Sequence, residues 1–212
     1  MIPDPLGEAA RWLRSGGLLA YPTETVWGLG ADATSETAVA RLLRWKRREA
    51  SEPLAILIEL AGDLAALGFE PGPATRRLAG LFWPGPLTLV LPSRGRFARG
   101  VARADGAVGV RCSAHPLAGA LARRLRRERV GPITATSLNR SGAPPARTRA
   151  EAEPLCGPDP EQPRLLDVKG AEAGGDAAST VVDLSGERPA VLRWGAIPAE
   201  TLEPVLAELK GA

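Results

Sequence analysis

Cysteine, histidine, aromatic residues and lysine are all scarce in these 212 residues. The cysteines are Cys112 and Cys156, and the one histidine is His115. The cysteines form no CxxC pair, which excludes a small disulfide-built scaffold and leaves too few ligands for a cysteine zinc site. His115 alone completes no His-rich site. Aromatic residues make up 4% of the chain. No apolar run approaches the ~20 residues that a membrane-spanning helix needs. No charged-then-apolar leader pattern stands at the start. The expectation is a cytoplasmic protein without membrane contact.

Other residue types are plentiful. The chain has 24 Gly and 20 Pro, 44% hydrophobic residues and 24% charged residues. The last two values are ordinary for a globular domain with a substantial core. The glycines show no three-residue period, which excludes collagen. The net charge is +3, and lysine occurs only as Lys46, Lys169 and Lys210, so arginine supplies the other cations. A general compositional bias toward Arg, Ala, Gly and Pro accounts for most of this. Basicity alone is therefore a weak argument for nucleic acid.

Asp4-Pro5 opens an amphipathic helix that Gly16-Gly17 stops. Leu18 to Tyr21 reads as a buried strand, followed by a polar loop from Pro22 to Thr34. Helices are expected over Ser35 to Lys46, Gly62 to Leu67, Pro73 to Phe82, Pro116 to Arg127 and Pro198 to Lys210. Strands are expected over Leu54 to Leu60, Pro86 to Leu91, Val108 to Arg111, Ile133 to Ala135, Thr180 to Leu184 and Ala190 to Arg193. This interleaving predicts an α/β fold: one domain over residues 1–212, with a twisted open mixed sheet and helices on both faces. Gly142 to Pro163 is read as an irregular Pro-rich loop within that domain.

No Walker loop is present. Gly28-Leu29-Gly30-Ala31-Asp32-Ala33 matches GxGxxA, but no strand runs directly into the first glycine as a dinucleotide fold requires. Three polar pairs stand at i, i+2: Thr23/Thr25, Lys46/Arg48 and Ser137/Asn139. In extended chain such pairs share a face. Arg111 and Arg193 end apolar runs. Open α/β sheets bind ligands beyond the carboxyl ends of their strands. One sheet edge would then collect Thr23, Thr25, Arg111, Ser137, Asn139 and Arg193, with Lys46 and Arg48 reaching over it. A cationic, hydroxyl-rich set without a general base suits anionic substrates and phosphoryl or nucleotidyl transfer.

Plainer readings stand beside these. The threonines are also ordinary loop hydroxyls. Lys46/Arg48 also fits a solvated helix end. Arg111 and Arg193 also fit edge salt bridges, and Ser137-Leu138-Asn139 also fits a turn. Arg123 to Arg129 reads as a solvated helix face, and His115 as a structural histidine. Trp27, Trp83 and Trp194 are expected against the core or pocket walls.

Pro22-Thr23-Glu24-Thr25-Val26-Trp27-Gly28-Leu29-Gly30 resembles the PTET(V)YGLG signature of the YrdC/TsaC family. Lys46-Arg47-Arg48 with Pro53-Leu54 is similar to its KxR…PL segment. Phe82-Trp83-Pro84-Gly85-Pro86-Leu87-Thr88 is similar to its FWPGPLT segment. Val110-Arg111 with His115-Pro116, Ser137-Leu138-Asn139-Arg140-Ser141-Gly142, Ser179-Thr180-Val181-Val182-Asp183 and Leu192-Arg193-Trp194-Gly195 resemble further segments. All occur in the family's order and cover nearly the whole chain.

The resemblance implies an L-threonylcarbamoyladenylate synthase acting on L-threonine, bicarbonate or CO₂, and ATP with Mg²⁺. Partner transferase proteins would then pass the threonylcarbamoyl group to A37 of ANN-decoding tRNAs. By the same resemblance Lys46 and Arg48 are catalytic. Thr25, Arg111, Ser137, Ser179 and Thr180 bind threonine, with Arg111 on its carboxylate. Lys46, Arg48, Asn139 and Arg193 bind nucleotide.

Four departures stand out. Trp27 replaces the usual tyrosine, and Glu49 the usual proline. Leu57 stands where some longer members carry histidine. Pro145-Ala146-Arg147-Thr148 deviates from SPT. The longer members' C-terminal domain is not expected, so separate partners would be needed. Two other functions compete. One is a non-catalytic RNA-binding or ribosome-maturation factor, for which the Arg123 to Arg129 helix would supply an RNA contact. The other is a carbamoyl-phosphate-using relative, which the shortage of cysteine disfavours.

Overall fold

The computed structural model describes residues 4–168, 170–175 and 177–210. Lys169 lies outside the described residues. Helix α1 spans Pro5–Arg14, and Asp4 caps it by accepting a hydrogen bond from the Gly7 N–H at 3.0 Å. Helix α2 spans Glu36–Lys46 and is capped by Ser35. Helices α3 (Pro73–Phe82) and α4 (Pro116–Arg127) both open on proline, whose missing N–H costs nothing there. His115 caps α4, its Nδ1 accepting from the Leu117 N–H at 3.2 Å. Helix α5 is Arg149–Ala152 and α6 is Ala199–Lys210. The segment expected as a helix from Gly62 is two short 3₁₀ turns, Ala61–Asp63 and Ala65–Leu67.

The α/β class and the mixed strand pairing are present, but the strands form two sheets where one was expected. The first has order β7-β2-β1-β8, from Thr136–Ser137, Gly28–Gly30, Leu18–Tyr21 and Pro163–Leu165. The second has order β10-β9-β4-β5-β3-β6. Its strands are Ala190–Arg193, Thr180–Asp183, Leu87–Pro92, Ala107–Cys112, Ile56–Ile58 and Ile133–Thr134. The chain steps from the second sheet to the first at Ala135, between β6 and β7. Its N–H is anchored there on the Ala55 carbonyl at 2.7 Å.

Alternation along a strand sends neighbouring side chains to opposite faces. In β1, Leu18 and Ala20 enter one hydrophobic cluster with Val39 and Leu42 of α2, Leu78 of α3 and Leu202 of α6. Leu19 and Tyr21 enter a second cluster with Leu13 of α1 and Leu121 and Leu125 of α4. Strand β3 divides likewise: Ile56 and Ile58 join the first cluster and Leu57 the second. Helices therefore cover both faces.

Two expectations need correcting. The polar loop from Pro22 contains β2, which pairs antiparallel with β1, so the GxGxxA match is a strand and not a phosphate loop. A Cβ on Gly28 would stand 2.8 Å from the Tyr21 ring, and one on Gly30 2.8 Å from Ile133. The glycines make room for packing. The second correction concerns Gly142 to Pro163, which is partly ordered into α5, a 3₁₀ turn and the start of β8.

Candidate active site

Between the two sheets lies a cavity of about 410 Å³. Strand register explains its floor. Across the second sheet, Leu57 pairs with Arg111, Arg111 with Thr88, Thr88 with Val181, and Val181 with Arg193. Residues aligned across neighbouring strands share a face. One transverse row thus carries Leu57, Arg111, Thr88, Val181 and Arg193, and all five line the cavity. Thr23, Arg48, Ser137 and Ser179 line it too. The expected location, beyond the carboxyl ends of one sheet, gives way to a groove running across the strands at the seam of two.

Arg111 is buried. Its Nη2 donates to Glu24 Oε1 at 3.0 Å and to Thr25 Oγ1 at 2.6 Å, while its Nε has no partner. The second Glu24 oxygen accepts a short hydrogen bond from Ser113 Oγ. Burial raises the Glu24 pKa, but Arg111 and the Ser113 hydroxyl outweigh it and hold the carboxyl below its ordinary value. Thr23 Oγ1 lies 2.9 Å from Thr25 Oγ1 and donates to the Val26 carbonyl at 2.6 Å. Thr25 is wholly buried behind Arg111.

Lys46 and Arg48 do not form the same-face extended pair that their spacing predicts. Lys46 is the last residue of α2, and Arg47 turns the chain through the left-handed region at φ 56°. That conformation is uncommon for a side-chain-bearing residue. Past the turn, Arg48 lines the cavity and donates to the Glu52 and Pro53 carbonyls, both at 3.2 Å. Lys46 is 2% exposed. Its Nζ donates to the Ser137 carbonyl at 2.6 Å, the Asn139 carbonyl at 3.0 Å and Asn139 Oδ1 at 2.9 Å. Ser137 Oγ donates to the same Asn139 oxygen at 2.7 Å. Burial first, then the Arg48 charge, pushes the Lys46 ammonium down to about 8. Lys46 and Asn139 therefore lie behind the cavity wall, and Ser137 and Arg48 form it.

Arg193 donates to the Ser179 carbonyl at 2.8 Å, and Ser179 Oγ lies 2.9 Å from Thr88 Oγ1. Desolvation of its guanidinium, then the charges of Arg111 and Arg48, lower the Arg193 pKa. Thr180 is fully buried, and its Oγ1 accepts from the Gly195 and Ile197 N–H groups, both at 3.1 Å. It braces the segment carrying Arg193 and does not line the cavity.

Sequence reasoning missed Arg103 and Glu24 as site residues. Arg103 lines the cavity, donates to Asp183 Oδ2 at 2.6 Å and pairs closely with Asp105. No motif pointed to Arg103, whereas Glu24 lay inside the PTET segment. Pro145 also lines the cavity, and Ala146 N donates to the Leu138 carbonyl at 3.0 Å. Trp27 is buried against the cavity, Trp83 donates to the Leu87 carbonyl, and Trp194 is 47% exposed, contrary to the packed position expected for it.

The site's chemistry is cationic and hydroxylic. No carboxylate lines the cavity among the described residues, and none of them group three or more His, Cys, Asp or Glu side chains for a metal ion.

The chain is similar to known proteins over most of its length. A family model described as Sua5/yciO/yrdC, telomere recombination, matches residues 11–195. A threonylcarbamoyl-AMP synthase from Pyrococcus abyssi is 40% identical over 203 residues, 95% of this chain and 57% of that protein. One from Stenotrophomonas maltophilia is 40% identical over 183 residues, 84% of this chain and 91% of that protein. The crystal structure of P. abyssi Sua5 complexed with L-threonine superposes with a TM-score of 0.86 at 36% identity, covering 99% of this chain and 60% of that one. The chain thus spans little more than half of the P. abyssi relative and nearly all of the S. maltophilia one. With the model matching most of its length, the chain belongs to the Sua5/YciO/YrdC family.

Proposed function

We propose that this chain is an L-threonylcarbamoyladenylate synthase, forming threonylcarbamoyl-AMP and diphosphate from L-threonine, bicarbonate or CO₂, and ATP. The observation that carries this reading is the transverse row with Arg111 and Arg193, joined by Arg48 on one cavity wall. The threonine ammonium first gives up a proton to solvent; the free amine then attacks CO₂ and a second proton leaves to solvent, giving a carbamate. A carbamate oxygen then bonds to the α-phosphorus of ATP as the bond to the β-phosphate oxygen breaks and diphosphate leaves.

Each step needs positioning and charge stabilisation more than it needs a base at the phosphorus. Arg111, with its Nη2 fixed by Glu24 and Thr25, presents its remaining N–H groups to the threonine carboxylate. Ser179 and Thr88 supply hydroxyls beside it. Arg48 and Arg193 face the nucleotide phosphates. Lys46 acts on the same charge through the Ser137–Asn139 segment that it anchors, and Thr180 acts by bracing Arg193. Mg²⁺ enters with the ATP, carried on its triphosphate oxygens.

The wider setting follows from the same reading. The product passes to separate threonylcarbamoyl transferase proteins for A37 of ANN-decoding tRNAs, and the protein works in the cytoplasm. No helix among the described residues is long and apolar enough to cross a membrane. Three arginines of the helix that would support the RNA-binding alternative are already engaged within the protein. Arg123 and Arg126 pair with Glu59, and Arg124 with Asp4 and Glu128.

The test is diphosphate release from ATP, measured with and without L-threonine and bicarbonate. Release that requires both supports the reading, and release indifferent to threonine contradicts it.

A further inference from the structure

Arg111 does not meet a ligand as a bare cation. Glu24, with 18% of its side chain exposed, lies against it, and both Glu24 oxygens are engaged, one by Arg111 and one by Ser113. The Glu24 backbone is held as well. Gly174 N donates to the Thr23 carbonyl at 2.9 Å, and a Cβ on Gly175 would stand 2.7 Å from the Glu24 carbonyl oxygen. Segment 174–175 thus rests directly on the loop that carries Glu24. The carboxylate is fixed, ionised and adjacent to the group assigned to the substrate carboxylate.

This pairing has a consequence for selectivity. A plain carboxylate anion arriving at Arg111 competes with Glu24 for one guanidinium and meets its negative charge in a partly dehydrated site, where such repulsion is strong. An α-amino acid brings an ammonium with its carboxylate, and Glu24, which lies against Arg111 but outside the cavity lining, then attracts one end of the ligand through space as Arg111 attracts the other. We propose that Glu24 is a positioning and specificity-determining residue that balances Arg111, so that the subsite selects a zwitterionic α-amino acid over the corresponding carboxylate anion. The proposal rests on the reading that Arg111 takes the amino-acid carboxylate. Discrimination of this kind combines attraction for one ligand with repulsion of another.

The test compares L-threonine with 3-hydroxybutyrate, the same carbon skeleton without the amine, by titration and as a competitor of threonine-dependent diphosphate release. The wild-type protein is expected to bind threonine at least about tenfold more tightly. Glu24→Gln keeps the side chain's shape and removes its charge. In that variant the threonine KM is expected to rise about tenfold and the 3-hydroxybutyrate inhibition constant to fall about tenfold. Ser113→Ala removes a hydrogen bond but no charge and keeps the wild-type preference.

Equal weakening of both ligands in E24Q would make Glu24 merely structural and overturn the proposal. Should E24Q not fold, wild-type binding of 3-hydroxybutyrate as tight as threonine overturns it independently. If the wild-type protein binds neither ligand and releases no diphosphate with threonine, the fault lies in the proposed function itself.

Discussion

Two regions of this protein are rich in arginine, and they use it in opposite ways. Helix α4 holds Arg123, Arg124, Arg126 and Arg127 within one short stretch. Three of the four are tied to Glu59, Asp4 or Glu128 on the surface. The cavity between the sheets is lined by as many arginines, Arg48, Arg103, Arg111 and Arg193, each from a different segment of the chain. Burial first, then the charges of Arg111 and Arg48, lowers the Arg193 pKa there. Charge density on α4 is higher in sequence and largely cancelled in space. Charge in the cavity is sparse in sequence and concentrated in space. Arg111, Arg48 and Arg103 each have a carboxylate partner, yet Arg111 and Arg48 still act on Arg193 across a desolvated cavity, whereas the α4 arginines stand largely in solvent, where such charges are screened.

Variants can break or sharpen that contrast. The largest effect is expected from Lys46→Ala, which removes the ammonium that gathers the Ser137 and Asn139 oxygens. Threonine- and bicarbonate-dependent diphosphate release should fall at least about a hundredfold, the scale of losing a preorganised charge-stabilising group. Circular dichroism should confirm that the fold is retained.

Arg111→Ala comes next. It should raise the threonine KM and also lower stability by about 3–5 kcal/mol, because Glu24 is left as an uncompensated, mostly buried charge. Urea denaturation measures the second effect, and combining R111A with E24Q should recover part of it. Arg111→Lys keeps the charge but not the planar fork, so it should restore stability better than threonine affinity.

The pH dependence is a subtler effect. Lys46 titrates near 8 in the folded protein, below its ordinary 10.5. The unfolded chain therefore binds more protons between these values, and this group's contribution to stability grows as pH rises from about 8 to 10.5. Nucleotide binding should raise the Lys46 pKa. Calorimetric titration of ATP near pH 8, in buffers of different ionisation enthalpy, should show proton uptake that K46A lacks.

The smallest effect belongs to α4. The double variant R123A/R126A should leave diphosphate release within about twofold of wild type, since α4 does not line the cavity, although it lowers stability by leaving Glu59, with 8% of its side chain exposed, without its arginine partners. A large loss there would overturn the contrast between the two regions.

Much of the framework was legible because local signals mark it. Asp4-Pro5, Ser35, Pro73 and Pro116 announce helix starts, and α3, α4 and β10 fall where their patterns place them. Strand β2 was hidden because Gly28 and Gly30 read as loop residues, their purpose being to clear the Tyr21 ring. The division into two sheets, the row from Leu57 to Arg193 and the engagement of Arg111 by Glu24 depend on register between strands distant in sequence. No local pattern reports such pairings. The i, i+2 pattern brings Thr23 against Thr25 and Ser137 against Asn139, yet in each pair only the first residue lines the cavity. It misread Lys46/Arg48, where the left-handed turn at Arg47 sends one side chain behind the wall and the other onto it.

The most direct test of this account is a crystal structure of the protein with L-threonine and a non-hydrolysable ATP analogue. The threonine carboxylate is expected on the Arg111 guanidinium and the triphosphate against Arg48 and Arg193 in the cavity between the sheets. Threonine or nucleotide bound elsewhere, with those arginines facing only solvent, would contradict it.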